Sequence, residues 1–175
     1  MIDESGFMIR PLVRRTWAPK GETPTLEVPL KKAHDRLSVI SALTVSPQNN
    51  RLNLHFQLRR GNFNGEKVHQ FLTQLLQTLR KKIILVLDRW SAHKKAVRLL
   101  QADHEDRVDV EWLPPYAPEL NPVEGVWSNV KYAHLPNYVP KSLDQLEEKV
   151  ERTIKGKKRR QLLLHSFFEH ARLEL

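Results

Sequence analysis

The spacing of apolar residues changes period along the chain, and each change marks an element. RLNLHFQLRR (51–60) alternates Leu52, Leu54, Phe56 and Leu58 with polar partners, the two-residue period of a half-buried strand. RLSVISALTV (36–45) precedes it across SPQNN, so the two segments predict a hairpin. Residues 2–9 and 11–17 read as two further short strands, punctuated by Gly6 and Pro11. Residues 18–35 place Pro19, Gly21, Pro24 and Pro29 among charges and read as loop. Beyond Gly61 and Gly65 the period lengthens. Val68, Phe71, Leu72, Leu75, Leu76 and Leu79 fall at three- and four-residue steps, which predicts an amphipathic helix. IILVL (83–87) reads as a strand buried on both faces. A short helix through Ala96–Leu100 and a strand near Val108–Leu113 follow.

The next helix has Pro122 in its first turn, where a missing N–H costs nothing. The tail predicts two more helices, one from about Ser142, its cap, to Ile154 and one from about Arg159 to Leu173. KGKKRR (155–160) joins them. The order β-β-β-β-α-β-α-β-α implies an α/β fold, a mixed sheet with helices on its faces and extra helices at the end. In such a sheet the carboxyl ends of the strands form the natural crevice. Asp88 stands at one such end, after KIILVL. Glu124 enters on the helix that follows the four prolines of LPPYAPELNPVEGVW (113–127), and Asp3 lies in MIDESGF at the start.

Charge and composition then narrow the chemistry. The 175 residues suffice for one domain with a proper core. Lys and Arg number 29 against 20 Asp and Glu, a net charge of +9 that suits a polyanion such as nucleic acid. Cysteine is absent, which excludes disulfides and thiolate metal sites and leaves oxygen and imidazole as ligands. No apolar run approaches the ~20 residues of a membrane helix, and no secretory pattern opens the chain. A cytoplasmic protein without a membrane partner is expected.

Three carboxylates at the ends of hydrophobic elements suit Mg²⁺ or Mn²⁺. Two such ions ~3.5–4 Å apart would serve phosphoryl transfer. Taken singly each residue is weak evidence, because an Asp after a strand is commonly a turn or cap residue and an early helical Glu a dipole partner.

Four segments carry a resemblance. DESGF (3–7), RTWAPKGETP (15–24), LVLDRWSAHK (85–94) and LPPYAPELNPVEGVWSNVK (113–131) are similar to the catalytic domain of bacterial insertion-sequence transposases of the mariner superfamily. That resemblance implies an RNase H-like fold, a mixed five-stranded sheet flanked by helices, over residues 1–175. It implies a DDE triad of Asp3, Asp88 and Glu124 holding two Mg²⁺ or Mn²⁺ ions, with 35 residues between the last two. The implied reaction is cleavage at the element's ends by water, then attack of the new 3′-hydroxyl on target DNA. Asn121 would cap the helix of Glu124. Arg89, Lys94 and Lys95 are expected on the DNA backbone. His93 is expected either to touch the phosphate or the site, or to be a surface histidine or one standing behind the site. Lys157, Lys158, Arg159 and Arg160 either grip DNA or form a solvated turn. Trp17 and Trp127 are expected in the core.

Family members carry an N-terminal helix-turn-helix domain, absent before Asp3, which suggests a truncated or split-frame product. Expected partners are double-stranded DNA, both transposon ends and target, and a second copy or a full-length or N-terminal transposase chain. A nucleoid-associated location follows. Two other classes remain: another metal nuclease on the same fold, and an inactive remnant that binds DNA or interferes with a sister transposase.

Overall fold

The computed structural model describes residues 1–28 and 35–174; of the segment expected as loop, 29–34 lie outside the described residues. Strands β1 (Ile2–Met8), β2 (Arg36–Val45) and β3 (Leu52–Arg60) form an antiparallel sheet in the order β1-β2-β3. The expected hairpin is β2–β3, with Val45 opposite Leu52. Helix α1 (Gly65–Leu79) starts at Asn64, whose side chain accepts the Lys67 N–H, and ends at Arg80 in the left-handed region. Strands β4 (Ile83–Leu87) and β5 (Val108–Trp112) pair in parallel, linked by α2 (Ser91–His104). Helix α3 (Pro122–Asn129) continues as a π-helical turn over Val130–His134. Then come α4 (Leu143–Lys155), capped by Ser142 as expected, and α5 (Gln161–His170).

β2 explains why helices cover two sides. Its residues are buried almost throughout, and its apolar ones alternate between two cores. Leu37, Val39 and Leu43 pack with Val126, Trp127, Val150, Ile154 and Phe167 from α3, α4 and α5. Ile40 and Ala42 pack with Phe71 and Leu72 of α1, Ala96 and Leu100 of α2, and Leu85 and Leu87 of β4. β1 borders both cores, giving Phe7 to the first and Ile2 to the second.

The structure departs from five expectations. The strand-to-strand hydrogen bonds form three plus two strands, so a single five-stranded ladder is not drawn; β1 and β4 lie side by side through their apolar residues. Residues 11–17 form no strand, only a bridge from Leu12 to Pro136; Pro11 has no N–H to give a ladder. Trp17 is 99% exposed on that extended arm and belongs to no core. β4 is buried on one face, where Leu85 and Leu87 meet α1 and α2, while Ile84 is exposed. The short helix expected at Ala96–Leu100 spans the whole of α2. No described helix is long and apolar enough to cross a membrane.

Candidate active site

α3 is fastened to β1, and the fastening carries Glu124 to Asp3. Asn121 caps α3 as expected: its Oδ1 accepts the Val123 N–H at 3.2 Å. Its Nδ2 donates to the Ile2 carbonyl at 3.0 Å. Two turns of chain later, Trp127 Nε1–H donates to Asp3 Oδ2 at 2.9 Å. The Trp127 ring is buried and meets Phe7 edge-on at 6.3 Å, so it serves the core as expected and the site as well. Gly125 lets α3 press against α5, since a Cβ there would stand 2.7 Å from the Phe167 ring.

Burial, then the nearby charges of Glu124 and Glu4, push the Asp3 carboxyl up to about 7, against the Trp127 hydrogen bond. Asp3 and Glu124 therefore share one electrostatic environment. Lys131, on the π-helical turn, joins them: burial lowers its pKa, while the carboxylates of Glu124 and Asp3 oppose that shift. A cavity of about 680 Å³ opens beside Glu124 between α3 and α5, with Lys131, Tyr132 and His170 among its walls.

Asp88 stands just past β4, half exposed. Its Oδ1 accepts the Trp90 N–H at 2.9 Å, closing the turn into α2, and lies 2.5 Å from His93 Nδ1. The His93 hydrogen bond is the main reason its carboxyl is held below the usual range. His93 is only 1% exposed, and its Nε2 lies 2.9 Å from Glu4 Oε2. Burial alone would lower the His93 pKa, but the hydrogen bonds to Asp88 and Glu4 outweigh it and raise the value to about 10. The ring is thus protonated at neutral pH and donates from both nitrogens. His93 faces two carboxylates rather than DNA. Glu4 is the site residue that sequence reasoning missed; nothing in its spacing links it to a histidine 89 positions away.

The basic candidates divide. Arg89, Lys94, Lys158, Arg159 and Arg160 are exposed. Lys95 is exposed but paired to Glu66. Lys157 is buried, with its ammonium on Asn129 Oδ1 at 2.5 Å; burial and Arg160 lower its pKa to about 8. As a DNA contact Lys157 is corrected: the residue closes the joint between α3 and α4.

Carboxylate oxygens are the donor type that a hard divalent cation takes. Among the described residues no hydrogen bond reaches Asp88 Oδ2 or the Glu124 carboxylate. The negative charge around Asp3 is what such an ion offsets. No three acidic or histidine side chains among the described residues close around one point, so no formed metal cage is present among them.

The sequence profile of the DDE superfamily endonucleases matches residues 1–147. The chain belongs to the DDE superfamily of endonucleases. Three solved structures share its fold: a Mos1 transposase paired-end complex with left transposon end, a Mos1 strand transfer complex and a pre-cleavage Mos1 transpososome. Their TM-scores are 0.67, 0.64 and 0.68, at 16%, 16% and 15% identity. Each match covers 98% of this chain and 52%, 51% and 53% of the other, so this DDE endonuclease spans about half their length. No curated protein matches the chain.

A proton on Asp3 links stability to pH. Its folded pKa of about 7 lies above the ordinary 3.8, so the protonated group contributes stability in full below pH 4. That contribution is lost as pH rises through 7, at most roughly 4 kcal/mol at 1.36 kcal/mol per unit. In chelator, the melting temperature is expected to fall between about pH 4 and 7, and Asp3→Asn to flatten the slope. A slope unchanged by Asp3→Asn would refute the assignment.

Proposed function

We propose that this chain is the catalytic domain of a DNA transposase, an RNase H-like unit in which Asp3, Asp88 and Glu124 hold divalent cations. Its five strands then act as one sheet, with β1 beside β4. Its substrates are the double-stranded ends of a mobile element and a target duplex, and a second copy serves the second end. The observation that carries this reading is the role of β1. Asp3 feels the charge of Glu124, and the next residue, Glu4, reaches the histidine that holds Asp88. The family profile and the transposase fold point to the same chemistry.

A bound Mg²⁺ or Mn²⁺ supplies positive charge that lowers the pKa of an attacking water or hydroxyl and offsets charge on the phosphate. The chain's residues provide the rest. Trp127 holds one oxygen of Asp3 and so fixes how the carboxylate is turned. Trp90 and His93 hold one oxygen of Asp88 in the same way. Glu124, on a helix fixed to β1 through Asn121, positions the nucleophile and takes its proton. Lys131, which feels the charges of Glu124 and Asp3, is the cation placed to balance a non-bridging phosphate oxygen in this reading. Arg89, Lys94, Arg159 and Arg160 supply exposed charge for the backbone.

Strand transfer separates this function from its alternatives. Given precut 3′-hydroxyl ends, a supercoiled plasmid and Mg²⁺ or Mn²⁺, the chain is expected to yield joined products. Nicks without joining would favour a hydrolytic nuclease, and no product with either metal an inactive remnant.

A further inference from the structure

Strand β1 presents two consecutive carboxylates, and they point to opposite faces. Asp3 turns to Trp127 of α3, and Glu4 to His93 of α2. His93 Nε2 lies 2.9 and 3.1 Å from the two Glu4 oxygens, and Nδ1 lies 2.5 Å from Asp88 Oδ1. A carboxylate–imidazole–carboxylate chain therefore runs from β1, through the first turn of α2, to the end of β4. Its inner end is rigid and its outer end open: the side chains of Glu4 and His93 are 14% and 1% exposed, that of Asp88 53%. Trp90 braces the ring edge-on at 5.3 Å. Polar groups this deep are costly unless fully partnered, and here each nitrogen has its oxygen. Among the described residues, the hydrogen bonds to the Asp88 carboxylate all converge on Oδ1. The carboxylate is thus locked in rotation with Oδ2 free.

We propose that Glu4 and His93 are a positioning pair that fixes Asp88 so that its Oδ2 faces a divalent cation. The proposal rests on the assignment of Asp88 as a metal ligand. A ligand carboxylate free to turn loses affinity, and losing an outer partner typically costs about 10–100-fold in metal binding. His93 supplies the grip on Oδ1. Glu4 acts only through His93, by holding the far side of the ring.

The test is calorimetric titration of Mn²⁺ into the full chain, with no DNA and no turnover. His93→Ala and Glu4→Ala are each expected to weaken Mn²⁺ binding about 10–100-fold. The double variant should bind no more weakly than His93→Ala, because the two residues form one unit. Glu4→Gln, which still offers an oxygen to the ring, should recover most of the affinity. Equal losses for Glu4→Gln and Glu4→Ala would mean that Glu4 contributes charge rather than position, and would overturn the proposal. So would additive losses, or wild-type affinity in Glu4→Ala. Melting curves in chelator check the fold, and if His93→Ala does not fold, the two Glu4 variants carry the decision. Asp88→Asn separates the two levels. If it leaves Mn²⁺ affinity unchanged, the metal assignment itself fails. If it weakens binding while the Glu4 variants do not, only the pair fails.

Discussion

Glu124→Gln is expected to remove metal-dependent DNA cleavage, by more than the roughly hundredfold that loss of an outer partner alone costs. The side chain is exposed and no hydrogen bond reaches its carboxylate among the described residues, so an amide of the same shape disturbs no packing. Stability should stay within about 0.5 kcal/mol of wild type, as for surface changes away from structural features. A slight gain is reasonable, because Glu124 is one of the charges that burden Asp3. What the amide cannot supply is negative charge for a cation or a base for the nucleophile. Cleavage rate and urea midpoint, measured on one preparation, separate chemistry from folding. A variant that cleaves at the wild-type rate would remove Glu124 from the site.

Trp127→Ala has the largest expected effect on stability, about 3–5 kcal/mol as for other buried aromatic truncations. That is a large share of the roughly 5–15 kcal/mol that holds a domain folded. The ring is buried in the core shared with Phe7, Val126 and the β2 residues. Trp127→Phe tests its other role. It keeps most of the apolar volume but removes the Nε1–H that holds Asp3 Oδ2. Cleavage should fall in this variant while the fold survives. Urea unfolding gives the first effect and cleavage by the folded fraction the second; full activity in Trp127→Phe would confine the residue to packing.

Much of this architecture was legible because periodicity and capping are local. The β2–β3 alternation, the α1 stripe, and the Asn121–Pro122 start of α3 each depend on residues within one element. What stayed hidden depends on contacts between distant segments. Ile84 and Leu85 look alike in sequence, and only the placement of α1 and α2 decides which is buried. Trp17 has the composition of a core residue but no neighbouring element to cover it. Lys157 reads as part of a basic turn, yet the α3–α4 joint closes over it and Asn129 partners its ammonium. The same holds at the site. Asp3, Asp88 and Glu124 are proposed from their places near element ends, whereas the Glu4–His93 link exists only once α2 packs beside β1. His93, whose role the sequence left open, has both ring nitrogens on carboxylates, those of Asp88 and Glu4.

The most direct measurement is the nicking of supercoiled plasmid by the full chain and by Asp88→Asn, each in Mg²⁺, Mn²⁺ and chelator. Wild type is expected to nick in either metal and not in chelator, and Asp88→Asn in none of the three. Nicking that persists undiminished in Asp88→Asn, or in chelator, would contradict a carboxylate-held metal site.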